Sequence, residues 1–395
     1  MVFKYINVWI FFSRKFLNAP YIHTAMTIEK QIKEGSVVFD LGNSFYNPAM
    51  ELNRTVSSLC VGAIDETLKI CDGMSASGIR GLRYKKENKN VELVNLVDTN
   101  KRVCPLIKKN IKLNKIKNCK VFCENILEHL SAHHEYNFIE LDPFGTPGPF
   151  LHSAMSSFAA NSSTKNAILS ATATDTAVLH GAHWRATPKQ YHAKPIHEMF
   201  LYEFGTRILL AHIARVAHEY EYKIEPIMSF SHRHYVKCIM RVVRGAIPAT
   251  EQENQDIGYL IFNPKTFEFK SVCLKDFYNN GLKKKKDEII GGPIYLGKIQ
   301  DGKILKKMLQ SSSFLYPNSQ ATKMIGLMAE EKELLYYDLH YMGGILKSSA
   351  PKTMDVIEKL KQKGFNATLT HFVSTGVKTN ASAKEVKKVF NRLSR

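Results

Sequence analysis

The segment Leu68-Lys-Ile-Cys-Asp72-Gly-Met-Ser-Ala-Ser-Gly78-Ile-Arg80-Gly81 limits the fold more than any other, because it reads as strand, glycine-bracketed loop and helix start in fourteen residues. Gly73 and Gly78 let the backbone turn tightly and pass close to a ligand, and the helix opening at Ile79 offers free amides at its N-terminus. A second strand follows from Val91 and closes on Asp98, twenty residues past Gly78. A carboxylate at that point of a βαβ unit suits the two hydroxyls of a ribose. The loop lacks the Gly-x-Gly-x-x-Gly of dinucleotide binding and the Gly-Lys-Ser/Thr of a phosphate loop. A ribose acid without a pyrophosphate cradle favours S-adenosylmethionine over NAD or ATP, with Asp72, Gly73, Gly78 and Asp98 as candidate contacts.

Two further segments carry chemistry. Asn137 to Gly145 reads as a buried strand ending in Asp142-Pro143-Phe144. A base amine is a poor nucleophile because its lone pair is delocalised, so an enzyme must draw on its protons as the electrophile approaches. Asp142 can accept one proton and the Pro143 carbonyl the other. The proline ring fixes φ and leaves no orphan amide, and Phe144 can stack on the base. A plain strand followed by a tight turn accounts for the same residues, since Asp-Pro and Pro-Phe-Gly are ordinary turn chemistry. The other segment is Ser44-Phe45-Tyr46-Asn47-Pro48 through Asn53-Arg54, where Asn47-Pro48 is a helix-start signal. Arg54 can pair with the methionine carboxylate of the cofactor, or be a surface arginine on an amphipathic helix.

Together with Ala171-Thr-Ala-Thr-Asp175 and Gly181-Ala-His183, these segments resemble the tRNA guanine-26 N2-dimethyltransferases of archaea and eukaryotes. The resemblance runs from about Gly35 to Gly245 and resumes in Gly291-Gly-Pro-Ile-Tyr-Leu-Gly and in Thr370 to Thr379. It implies two methyl transfers from S-adenosylmethionine to the exocyclic amine of guanine 26 in tRNA. By that resemblance Asp142 is the catalytic acceptor beside Pro143, Phe45 and Phe144 stack on the extruded guanine, and Arg54, Arg80 and Asp98 bind the cofactor. Relatives carry an acidic-Ala-Asn stretch against the adenine where this chain has Glu124-Asn125-Ile126, so Asn125 and Ile126 join the cofactor set. A DNA or other RNA amino-methyltransferase would use the same strand-end acceptor and ring, and a catalytically silent RNA-binding protein could keep the fold. These stand as alternatives.

The order of elements agrees with an α/β fold: a Rossmann-like class I methyltransferase domain with a second, smaller α+β C-terminal domain. Strands near 68–72, 92–98, 119–124, 137–142 and 167–173 alternate with helices near 79–87, 100–114, 149–160 and 196–220. Strands 223–231 and 234–243 follow with almost no gap and must be antiparallel, since a parallel pair needs a crossover. Cofactor and base sites then fall at the carboxyl ends of the strands, with Asp72, Asp98 and Asp142 facing one crevice. The expected division is an N-terminal extension over 1–34, the methyltransferase domain over 35–245 and a basic tRNA-binding domain over 246–395. Pro248 to Asp256 reads as the linker, Thr353 to Lys363 as a helix, and Thr375 to Thr379 as a loop with phosphate contacts or a helix-helix turn.

The net charge of +19 favours a polyanionic partner, and Lys283 to Lys286 and the tail from Lys384 carry much of it. Seven cysteines form no Cys-x-x-Cys pair, which implies a reduced intracellular protein, in nucleus or cytoplasm. A zinc site needs two closely spaced pairs, and the C-terminal part has only Cys273, so no metal is expected. His197-Glu198 is not a metalloprotease signature, because position 201 is Leu. The first twenty-five residues are too short and interrupted to span a bilayer. They suit either an organelle presequence, of mitochondrial type, or sequence upstream of a start at Met26. A monomer that does not engage a membrane is expected.

Overall fold

A computed structural model describes residues 31–161 and 166–394 of the chain. The presequence and the start at Met26 lie outside the described residues. Among those residues, no helix is long and apolar enough to cross a membrane.

The chain opens on a hairpin, β1 (Gln31–Glu34) and β2 (Val37–Asp40), followed by a 3-10 turn at Pro48–Met50 and helix α1 (Glu51–Ala63). The expected boundary after residue 34 therefore falls inside a paired hairpin, and Glu34 itself is buried. The seven-stranded sheet is built from β3 (Leu68–Gly73), β4 (Val91–Val97), β5 (Cys119–Phe122), β6 (Phe138–Leu141), β7 (Asn166–Ala173), β8 (Tyr222–His232) and β9 (Tyr235–Arg244). Its order is β5-β4-β3-β6-β7-β9-β8, with the first five parallel and β9 and β8 antiparallel as expected. Helices α2 (Ile79–Glu87), α3 (Cys104–Leu113), α4 (Ile126–Ala132), α5 (Gly148–Ala160), α6 (Thr176–Leu179), α7 (Thr187–Tyr191) and α8 (Leu201–Glu219) fill the connections. Order reverses between β3 and β6, so the crevice of an open α/β sheet opens at their carboxyl ends.

Helix α9 (Ala246–Asp256) occupies the stretch expected to be a linker. Its composition is polar because its work is done by an amide: Gln252 donates from Nε2 to Ile224 O at 2.7 Å and accepts from Ile224 N at 2.8 Å. Gln300 does the same further along β8, with Nε2 to Ser229 O at 2.8 Å and Ser229 N to Oε1 at 3.2 Å. Two side chains from beyond residue 245 thus satisfy backbone groups that an edge strand would otherwise leave open.

The remainder holds a sheet of order β11-β10-β12, from β10 (Ile257–Phe262), β11 (Phe269–Cys273) and β12 (Ile289–Tyr295), with α10 (Leu274–Asn280) after β11. Helices α11 (Gly302–Leu315) and α12 (Gln320–Glu330) follow. The last sheet, β13-β15-β14, comprises β13 (Tyr337–Asp338), β14 (Ala367–Leu369) and β15 (Gly376–Thr379), with α13 (Leu339–Leu346), α14 (Thr353–Gln362) and α15 (Ala383–Leu393) around it. One apolar core joins Leu141, Leu169 and Phe204 to Phe262, Leu339 and Phe390. The other joins Ile70, Val94 and Val56 to Leu305, Met308 and Ile325 from α11 and α12. Both cores cross residue 245.

Two expectations are corrected here. Gly376 to Thr379 is the central strand of the last sheet rather than a loop or a helix-helix turn. Lys378 is buried, with Nζ 3.1 Å from Glu203 Oε1 and 3.0 Å from Glu331 Oε2, and Glu331 also pairs with His371 at 2.6 Å. Nor are all cysteines free: Cys104 and Cys123, nineteen residues apart, form a disulfide. No short motif announces that pair, because the fold itself brings the start of α3 to the end of β5.

Candidate active site

The loop after β3 keeps its shape through its own backbone. Ser75 N donates to Val97 O at 3.0 Å, Ser75 Oγ donates to Asp72 O at 2.5 Å, and Gly78 takes φ +79° where α2 begins. A β-carbon at Gly81 would lie 2.5 Å from Leu96 Cδ2 and 2.8 Å from Asp72 Oδ2, so only glycine lets α2 come this close to β3 and β4. Asp98, partly exposed after β4, accepts from Ala76 N and from Asn100 N, both at 2.8 Å. Its two oxygens are thereby aimed, with lone pairs left for a ribose diol. Asn125 caps α4 by accepting from Leu127 N at 2.9 Å and remains exposed, while Ile126 packs beneath Gly73.

Asp72 departs from the expected arrangement of three carboxylates in one crevice. It is buried, accepts from Gly81 N at 3.0 Å, and ties the strand end to the helix. Burial pushes its carboxyl up to about 7, although Arg80 opposes the shift.

Asp142 ends β6 with its side chain 21% exposed. Arg80 Nη2 donates to Asp142 Oδ2, and Arg80 Nη1 donates to Asn53 Oδ1 at 2.8 Å. Oδ1 of Asp142 receives no hydrogen bond from any other described residue. Behind the pair lies Glu140, fully buried, bonded by Lys237 Nζ at 2.5 Å and by Tyr84 Oη at 2.8 Å, with Arg80 Nε 4.0 Å away. Burial pushes Asp142 up, but the charges of Arg80, Lys237 and Arg54 outweigh it and hold the carboxyl below the usual range. The group is therefore ionised at neutral pH and presents a hydrogen-bond acceptor.

Arg54 does not reach outward. Its Nε and Nη2 close on Glu34 at 2.7 and 2.5 Å, and Nη2 also donates to Asn47 O at 3.2 Å. Arg83 shares Glu34 at 2.9 Å, so the hairpin, α1 and α2 are locked by one carboxylate.

The Pro143-Phe144-Gly145 turn is clasped by Thr174: Gly145 N donates to Thr174 Oγ1 at 2.7 Å, and Thr174 N donates to Gly145 O at 2.9 Å. This is the link between the Asp142 motif and the Ala171 to Asp175 segment. Phe144 is 77% and Phe45 53% exposed, and the two rings meet edge to face with centroids 5.0 Å apart. A base held between parallel rings needs them about 7 Å apart, two contact distances of about 3.5 Å, so the rings must part to admit one. Trp184, 56% exposed in the 181–186 segment, adds a third outward aromatic.

Sequence reasoning missed Glu34, Asn53 as a ligand of Arg80, Glu140, Tyr84 and Lys237. One signal was present: Glu140 stands in the apolar run Phe138-Ile-Glu-Leu141, and a charge inside a buried strand requires a partner.

The family model described as N2,N2-dimethylguanosine tRNA methyltransferase matches residues 24–391. A tRNA (guanine(26)-N(2))-dimethyltransferase of Methanobrevibacter smithii is 34% identical over 368 residues, covering 89% of this chain and 92% of that protein. The enzyme of the same name from Methanocaldococcus jannaschii is 32% identical over 376 residues, covering 90% of this chain and 96% of that one. Among solved structures, Trm1 from Pyrococcus horikoshii in complex with S-adenosyl-L-methionine superposes with a TM-score of 0.81 at 30% identity, covering 93% of this chain and all of that one.

Proposed function

The chain belongs to the N2,N2-dimethylguanosine tRNA methyltransferase family, and on that premise we propose that it transfers methyl groups from S-adenosylmethionine to the N2 amine of guanine 26 in tRNA, twice. The observation that carries the mechanism is the ionised, partly exposed Asp142, with Oδ2 taken by Arg80 and Oδ1 left for substrate.

When bound, S-adenosylmethionine supplies an electrophilic sulfonium methyl. The residues that would hold it are the Gly73 to Gly81 loop, tightly packed against β4 and α4, and Asp98, aimed by two backbone amides. Extruding a guanine costs a few kcal/mol, which stacking offsets at about 1–3 kcal/mol per base. Phe45 and Phe144 stand at the mouth for that purpose and separate to take the ring. Asp142 Oδ1 and the Pro143 carbonyl then receive the two amine protons, which aims the nitrogen lone pair at the methyl carbon. As the N–C bond forms and the S–C bond breaks, the nitrogen becomes far more acidic than a carboxylic acid, so transfer of its proton to Asp142 is downhill even with a depressed carboxyl pKa. Arg80 keeps Asp142 charged and oriented, and most of the acceleration comes from positioning. Once Asp142 has given its proton to solvent and a second S-adenosylmethionine has replaced the spent one, the second transfer would use the remaining N–H at the same oxygen, with the first methyl turned away.

The hairpin from Gln31 and the seven-stranded sheet through Arg244 perform the chemistry in this reading, and 246–395 grip tRNA away from the target base. The exposed lysines 283 to 286 support that role. The test is mass spectrometry of nucleosides from tRNA treated with the purified protein and cofactor. Dimethylguanosine is expected from a transcript carrying guanine 26 and not from one carrying adenosine there; an unmodified guanine 26 would sink the proposal. Asp142→Ala is expected to abolish methylation while calorimetry still shows cofactor binding, and retained turnover would remove Asp142 from its role.

A further inference from the structure

At the end of β5, Glu124, His129 and His133 converge so that one donor atom from each lies within 4.8 Å of the other two. We propose that these three residues form a binding site for a single divalent transition-metal ion of zinc's type.

The donor set suits such an ion. Two imidazoles and a carboxylate are ligands zinc accepts, with three protein donors leaving a fourth position for water. This differs from the thiolate site that cysteine spacing rules out, and it needs no Cys-x-x-Cys pair. His129 lies in the last turn of α4 and His133 caps that helix with extended backbone, its N donating to His129 O at 2.9 Å, which keeps the two residues together. Their rings lie with centroids 4.4 Å apart. Glu124 comes from the chain just before the helix, so an ion would join strand end to helix rather than bridge one turn.

The three side chains divide into a fixed anchor and two adjustable arms. His129 is fully buried, whereas the side chains of Glu124 and His133 are 38% and 35% exposed, with His133 Nδ1 3.8 Å from Glu135 Oε2, and they face the solvent side from which an ion would enter. Nδ1 of His129 already stands 2.6 Å from Glu124 Oε1. An ion replaces the proton shared there.

The far side of His129 supports the same reading. Nε2 lies 2.6 Å from Tyr136 Oη, and Tyr136 accepts from Asn95 Nδ2 at 2.7 Å. A histidine bound through Nδ1 must carry its proton on Nε2 and donate it outward, the arrangement that fixes ligand tautomer and orientation in metal centres.

The decisive experiment is a Co(II) titration of the full-length, chelator-treated protein. One equivalent is expected to give visible ligand-field bands without intense near-ultraviolet thiolate absorption, and zinc is expected to bleach them. In His133→Ala the bands vanish and affinity falls at least about ten-fold, while far-ultraviolet circular dichroism and the metal-free melting midpoint stay at parent values. Glu124→Gln keeps a hydrogen-bond acceptor for His129 and is expected to weaken cobalt as well, which a purely structural role would not require. Equal binding by parent and His133→Ala, absence of the bands, or a thiolate signature would each overturn the proposal.

Discussion

Two buried charge networks in this molecule use the same kinds of residue for opposite ends. Around β6, Arg80, Asp142, Glu140 and Lys237 form a chain whose last member, Asp142, has a side chain 21% exposed. Under the last sheet, Lys378 joins Glu203 and Glu331 with every side chain at most 2% exposed. Perturbed ionisation does not separate them, since both hold a carboxylate below its usual range. The edge separates them. One network delivers an unshared carboxylate oxygen to a crevice flanked by exposed rings, whereas the other closes on itself and fastens β15 to α8. A buried ion cluster marks a reactive site only when it has somewhere to point.

The contrast can be broken at either end. Asp142→Asn keeps the shape of the side chain and loses its charge, so turnover is expected to fall about 10²–10⁴-fold, with the melting midpoint and cofactor affinity nearly unchanged. A large loss of stability instead would place Asp142 with the sealed network. Lys378→Met removes the cation shared by two buried carboxylates and leaves Glu203 to Arg207 and Glu331 to His371, a loss of up to about 3–5 kcal/mol, measurable as the urea midpoint. Activity per folded molecule is expected to hold, and a selective rise in KM for tRNA would show that the sealed cluster has a functional face after all.

Smaller effects sharpen the comparison. Phe144→Ala removes one stacking surface, a loss of about 1–3 kcal/mol that should appear in the transfer step to tRNA and not in cofactor binding. In acid, the sealed cluster is expected to weaken in a defined direction. Burial pushes Glu331 up, yet His371 and Lys378 outweigh it and hold its carboxyl at about 2. A folded pKa below that of the unfolded chain, about 4.3 for Glu, gives stability that is complete above that value and lost as pH falls toward 2. Glu331→Gln should therefore flatten the fall of the urea midpoint below pH 5, and an unchanged slope would show that Glu331 is not the group responsible.

What the sequence disclosed follows the range of the interactions. The loop from Gly73 to Gly81 and the carboxylates Asp98 and Asp142 were legible because each is defined by neighbours within a few residues. Glu140 and Lys237 stand 97 residues apart, and nothing local in β9 says that Lys237 turns inward. Arg54 reads as a partner for the cofactor's carboxylate, and in the structure its guanidinium closes on Glu34, in a hairpin that the expected boundary splits. Pro248 to Asp256 reads as a linker because polarity there serves a strand edge, and Thr375 to Thr379 reads as a loop or a helix-helix turn because a four-residue strand has too little periodicity to reveal its inward face.

The amides of Gln252 and Gln300 on β8 also bear on synthesis. The ribosome completes the whole seven-stranded sheet before either glutamine has left the exit tunnel. The nascent protein must therefore spend an interval with its outermost strand bare, at the moment when neighbouring chains on the same message are closest. Release of a fragment ending near residue 245 would make that interval permanent, and such a fragment is expected to need a chaperone that the finished chain can do without.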